Sequence, residues 1–141
     1  MDRKKILVVD DSPVIRKTLS FKLNLAGYDV LTAIDGSDAV SVARLEKPDL
    51  ILLDIGFPPD VCHGGGVPWD GFLIMDWLKR LEDVRLIPTI IITGSDAALD
   101  KERAMAAGAV SFFQKPIDHA KLLAVIRQIL GQTVPAAQPA A

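Results

Sequence analysis

The chain is poor in the residues that staple a fold, anchor it in lipid or bind soft metals. It has one cysteine, Cys62, in 141 residues, so no internal disulfide can form, and a lone thiol fits a reducing cytoplasm. Only His63 and His119 could join that thiol, and they lie far apart in the chain, so a dedicated transition-metal site is not expected. No apolar run approaches the length that spans a bilayer. The charged start Met1-Asp2-Arg3-Lys4-Lys5 is followed by only a short apolar run before two aspartates, which is the pattern of neither a secretory signal nor an anchor. The net charge of -2 gives no general attraction to nucleic acid or anionic membrane, and the basic residues are scattered. A glycine-rich phosphate cradle is missing too. The first apolar run leads into Asp10-Asp11-Ser12-Pro13, which argues against a nucleotide-binding enzyme or a metabolic hydrolase.

What is present is an ordinary globular composition, 50% apolar and 24% charged, in a length suited to one domain with a real core. Short β-rich runs alternate with longer helix-like stretches, the pattern of βα units feeding a parallel sheet. Strands are predicted near residues 5–10, 28–33, 49–54, 88–93 and 109–113. The third and fourth are nearly continuous apolar runs, as strands covered on both faces should be. The second, Tyr28-Asp29-Val30-Leu31-Thr32-Ala33, carries polar members that suit an edge. Between them, Ser12-Pro13 opens a helix with Ile15, Leu19, Leu23 and Ala26 on one side before Gly27. Asp35 caps a second helix and Asp70 a third. A fourth runs from about Asp96 to Ala107, and Asp118 opens a fifth that ends near Gly131. The domain is expected over residues 1–131. Residues 132–141, rich in alanine and proline, are expected to be a disordered tail or linker stub.

Charged residues follow the apolar runs in a telling order. Asp10 and Asp11 come after Ile6-Leu7-Val8-Val9, Asp54 after Leu50-Ile51-Leu52-Leu53, and Lys115 just past Val110-Ser111-Phe112-Phe113. Neighbouring parallel strands would bring three carboxylates and an ammonium into one crevice, able to hold a hard divalent cation such as Mg2+ and a phosphoryl group. Asp54 is the candidate nucleophile, because a carboxylate oxygen can attack phosphorus to give an acyl phosphate. Asp10 and Asp11 would hold the metal. Thr93, after Ile90-Ile91-Ile92, could reach a phosphoryl oxygen, and Lys115 would neutralise its charge. Taken singly, the acidic pair reads more readily as a helix cap than as a metal site, Thr93 as a helix-entry or turn residue and Lys115-Pro116 as a solvated lysine before a turn. Asp54 behind four buried apolar residues is harder to explain without a partner.

In this order, Ile6-Leu7-Val8-Val9-Asp10-Asp11-Ser12, Leu50-Ile51-Leu52-Leu53-Asp54, Ile91-Ile92-Thr93-Gly94 and Phe113-Gln114-Lys115-Pro116 resemble the receiver domain of bacterial two-component response regulators, over roughly residues 4–131. The resemblance implies a doubly wound α/β fold of the flavodoxin type, with a five-stranded parallel sheet of order 2-1-3-4-5 and helices on both faces. It implies Asp54 as phosphoacceptor, Asp10, Asp11, Asp54 and the Gly56 carbonyl as Mg2+ ligands, and Thr93 and Lys115 as partners of the phosphoryl group. Thr93 and Phe112 would form the switch, with Pro116 supporting the site. The implied partners are a sensor histidine kinase or histidine phosphotransfer protein and a downstream protein target, met in the cytoplasm, with no direct nucleic-acid contact and no membrane insertion. The implied chemistry is Mg2+-dependent self-phosphorylation from a phosphodonor and autodephosphorylation, and a monomer or weak dimer is expected. The competing expectation is a protein-interaction module of the same fold that does not cycle through phosphorylation.

The chain departs from the family pattern after Asp54. The stretch Pro59-Asp60-Val61-Cys62-His63-Gly64-Gly65-Gly66-Val67-Pro68-Trp69 lengthens the connection to the Asp70-Gly71 helix entrance. Three consecutive glycines make it costly to order without packing or a partner. It is expected to be a surface loop that covers Asp54 or contacts the kinase.

Overall fold

The computed structural model describes residues 3–10, 12–54, 71–93, 97–115 and 117–130. Strands and helices alternate through the chain: β1 (Lys5–Val9), α1 (Pro13–Leu25), β2 (Asp29–Ala33), α2 (Gly36–Glu46), β3 (Leu50–Asp54), α3 (Gly71–Arg80), β4 (Thr89–Thr93), α4 (Ala97–Ala106), β5 (Ser111–Gln114) and α5 (His119–Leu130). All five strands are parallel, in the order β2-β1-β3-β4-β5, so β2 is an edge as its polar residues indicate.

Alternation along the strands builds two cores. Leu7, Val9, Ile51, Leu53 and Ile91 face one side, packed with Ala39 and Ala43 of α2, Ile74, Met75 and Leu78 of α3, and Ala104 of α4. Ile6, Val8, Leu50, Leu52, Ile90 and Ile92 face the other, packed with Leu19 and Leu23 of α1 and Leu122 and Ile126 of α5. Every residue of β3 and β4 is buried, because helices cover both faces there.

The helix boundaries have local causes. Ser12 Oγ accepts the Ile15 N–H at 3.4 Å and Pro13 fills the first helical position of α1. Asp35 Oδ1 accepts the Asp38 N–H at 2.8 Å to start α2, and Asp118 Oδ1 accepts the Lys121 N–H at 3.2 Å at the head of α5. Gly27 and Gly108, at φ +102° and +105°, follow α1 and α4 in the left-handed region that glycine enters without penalty. The fifth strand starts at Ser111, two residues later than the apolar pattern predicts. Ala109 is buried below it, while Val110 is exposed and gives its N–H to the Thr89 carbonyl at 2.9 Å, so these two residues lead into the strand. The predicted Asp70 cap and the tail lie outside the described residues. Among those described, no helix is long and apolar enough to cross a membrane.

Candidate functional site

The register decides which side chains meet. Val9 pairs with Leu53 and Asp54 with Ile92, so Asp10, one residue past β1, and Asp54, the last of β3, emerge together at the C-terminal edge of the sheet. Thr93 ends β4, paired with Gln114, and Lys115 follows directly; its N–H donates to the Thr93 carbonyl at 2.8 Å. Each charged residue stands at a strand end because the apolar run before it is consumed by the sheet.

The side chains converge. Lys115 Nζ donates to Asp54 Oδ2 at 3.0 Å across a sequence separation of 61 residues, and lies 3.6 Å from Asp10 Oδ2. Asp10 and Asp54 are each only 3% exposed and Thr93 is fully buried. Asp10 Oδ1 accepts the Ser12 N–H at 2.9 Å, the Asp10 N–H donates to the Ala33 carbonyl at 3.1 Å, and Arg16 Nη1 donates to the Asp10 carbonyl at 2.7 Å.

The electrostatics follow from two buried acids sharing one ammonium. Burial pushes the Asp10 carboxyl up to about 6, against the pull of the Ser12 N–H; repulsion by Asp54 and their shared hydrogen bond push the same way, and Lys115 pulls it back only in part. For Lys115, burial works against the charge, but the hydrogen bond and attraction of Asp54, joined by those of Asp10, outweigh it and hold the ammonium above its usual pKa. The pocket therefore carries more negative charge than its lysine offsets. Two convergent carboxylates with surplus charge are a donor set suited to a hard, oxygen-seeking dication. Among the described residues no third acid joins them.

Of the residues singled out from sequence, Asp10, Asp54, Thr93 and Lys115 are brought to one edge. Phe112 is half-buried on β5 opposite Ile91, against the α2–α3–α4 core, on the face to which strand alternation also assigns Thr93. Asp11, Gly56, Pro116 and the whole stretch 59–69 lie outside the described residues. Sequence reasoning missed Arg16, which reads as an ordinary solvated charge on a helix. It also missed a cleft of about 220 Å³ beside Lys115, lined by Ile15, Thr18, Leu19, Ile117 and His119. The one available signal for Arg16 was its position, a helical turn beyond the acidic pair, within reach of the carbonyl it holds.

Comparison with known proteins bears on this edge. A family model for the response regulator receiver domain matches residues 6–127. PilH of Pseudomonas aeruginosa is 37% identical over 126 residues, covering 89% of this chain and 97% of that protein. RpaA of Synechocystis, a DNA-binding dual master transcriptional regulator, is 35% identical over 92% of this chain and 50% of its own length. The chain spans about half the length of the curated relatives first matched. Among solved structures, chemotaxis protein CheY4 of Vibrio cholerae superposes with a TM-score of 0.77 at 29% identity, covering 91% of this chain and 99% of that one. The BeF3-activated N-terminal receiver domain of Klebsiella pneumoniae RstA gives 0.77 at 29% identity, over 92% and 100%.

Proposed function

The chain belongs to the response regulator receiver domain family, and we propose that it signals by accepting a phosphoryl group on Asp54 from the phosphohistidine of a sensor histidine kinase or a histidine phosphotransfer protein. The observation that carries this reading is the 3.0 Å contact between Lys115 Nζ and Asp54 Oδ2 beside the second buried carboxylate of Asp10. A nucleophile must be aimed, and the hydrogen bond from Lys115 orients the Asp54 carboxylate.

In the transfer, an Asp54 carboxylate oxygen forms a bond to phosphorus as the bond from phosphorus to the donor imidazole breaks, the electron pair leaving on nitrogen. Charge on the transferring oxygens grows nearest Lys115, which exchanges part of its contact with Asp54 for one with the phosphoryl group. Asp10 and Asp54 would hold Mg2+, with Asp11 and the Gly56 carbonyl completing the set that the family resemblance implies. Bound there, the cation would offset the negative charge that gathers on carboxylate and phosphoryl oxygens. Hydrolysis of the acyl phosphate by water then returns the carboxylate. The reading puts the cycle in the cytoplasm, with a protein target downstream.

Phosphorylation places new acceptor oxygens at the end of β3, within reach of the end of β4. Thr93 would turn toward them and Phe112 would move into the space released, altering the surface made by α4, β5 and α5. The cleft beside Lys115 and the exposed apolar side chains Val14, Phe21 and Leu25 on α1 favour that side as the place where the donor is received.

The test is incubation with a small phosphodonor and Mg2+, followed by intact-mass measurement. One phosphoryl group should add to the wild type and none to Asp54→Asn. An equal gain in the variant would remove Asp54 from the reaction.

A further inference from the structure

Arg16 occupies a place that helix energetics does not explain. It lies one turn inside α1, near the positive end of the helix dipole, where a cation is mildly unfavourable. Its guanidinium turns back out of the helix, and Nη1 donates to the carbonyl of Asp10 at 2.7 Å, a short, charge-assisted, part-buried bond. Its own N–H donates to the Ser12 carbonyl at 3.0 Å. One residue thus grips both described ends of the β1–α1 connection, by side chain at residue 10 and by backbone at residue 12.

Three of the four polar atoms of Asp10 are held by hydrogen bonds. Its N–H is tied to Ala33 of β2, its Oδ1 receives Ser12 N–H, its carbonyl receives Arg16, and its Oδ2 is left toward Lys115 at 3.6 Å. The bond to Ala33 fixes only the end of the strand. The bond from Ser12 is local and travels with the turn. The guanidinium is the described side-chain link that ties the Asp10 carbonyl to the body of α1.

We infer that Arg16 is a positioning residue for the cation site: it holds the β1–α1 connection so that the Asp10 carboxylate stays beside Asp54 and Lys115. The inference rests on the phosphoacceptor reading above. It makes a prediction opposite in sign to simple electrostatics. Removing a positive charge close to a dication site should tighten cation binding if charge alone matters. Removing an outer-shell anchor should weaken it, typically by tenfold or more.

The experiment compares wild type, Arg16→Met and Arg16→Lys by calorimetric Mg2+ titration at pH 7.5, with thermal unfolding in the absence of Mg2+ as the control for folding. Met keeps the aliphatic stem without the donor; Lys keeps a charged donor without the planar fork. The expected order of affinity is wild type, then Arg16→Lys, then Arg16→Met about tenfold weaker, with the rate of phosphorylation by a small donor restored at saturating Mg2+. A role confined to fold stability would lower the unfolding midpoint and leave the affinity unchanged in the folded protein. Arg16→Met binding Mg2+ as tightly as wild type, or more tightly, overturns the inference. If Arg16→Met does not fold, Arg16→Lys decides, weaker binding supporting the inference and wild-type affinity overturning it. A wild type that neither binds Mg2+ nor is modified at Asp54 would instead remove the phosphoacceptor reading, whereas normal modification with an indifferent Arg16→Met removes only the role of Arg16.

Discussion

Asp10 carries the clearest consequence at the scale of single residues. Its folded pKa, raised from the ordinary 3.8 to about 6, means the folded chain holds a proton there that the unfolded chain has lost between those values. Its contribution to the metal-free fold is therefore fully present below pH 3.8 and is lost as pH rises through about 6. Above that, the site is a buried anion pair that a dication can relieve, while below it the proton competes with the metal. Mg2+ affinity should accordingly fall steeply as pH drops from 7.5 to 5, and the gain in melting temperature on adding Mg2+ should shrink with it; a pH-independent gain would contradict the assignment of Asp10 as ligand. Tyr28 offers a second test, away from the site. Its ring is fully buried among Ile6, Leu23 and Leu50, and its hydroxyl finds no hydrogen-bond partner among the described residues. A desolvated, unpaired hydroxyl costs about 1–3 kcal/mol, so Tyr28→Phe should leave stability unchanged or raise it by roughly 1 kcal/mol in chemical denaturation, and a clear loss would reveal a hidden partner. The acids and the lysine were legible in sequence because each stands where an apolar run stops. Arg16 was not, since the acceptor of its guanidinium is a backbone carbonyl, and no side-chain type marks that.

At the scale of elements, strands β1, β3 and β4 declared themselves through uninterrupted apolar runs, and α1, α2 and α5 through capping residues that make the hydrogen bonds expected of them. The start of β5 was less legible, because Ala109 and Val110 have strand-like composition while only Ser111 onward joins the ladder. The ion pairs Arg3–Asp29, Lys5–Glu46 and Arg44–Asp83 were not legible at all, since they join residues distant in the chain. They are largely exposed and contribute little to stability. The proposed switch belongs to this scale, because it would couple β4 to β5. Addition of beryllium fluoride and Mg2+ should shift the amide resonances of Thr93 and of residues 111–114 in NMR spectra, together with those on the exposed side of α4. Shifts confined to Asp10 and Asp54 would uncouple phosphorylation from that surface.

For the whole molecule, the parallel order β2-β1-β3-β4-β5 does the decisive work, since it sets β1 and β3 side by side and brings residues 10, 54 and 115 to one edge. Local pattern predicts the strands but not their neighbours; the order came from resemblance to a family, and the Lys115–Asp54 contact closes it across 61 residues. The fold leaves Asp10 and Asp54 almost out of solvent, which raises the cost of their charge and so favours a cation as compensation. The account turns on which carboxylate takes the phosphoryl group. Treatment with a phosphodonor and Mg2+, then with borohydride, reduces an aspartyl phosphate to the alcohol, and peptide mass spectrometry locates the change. The account predicts reduction at residue 54 alone, dependent on both donor and Mg2+; reduction at another residue, or none in a folded protein with both present, would contradict it.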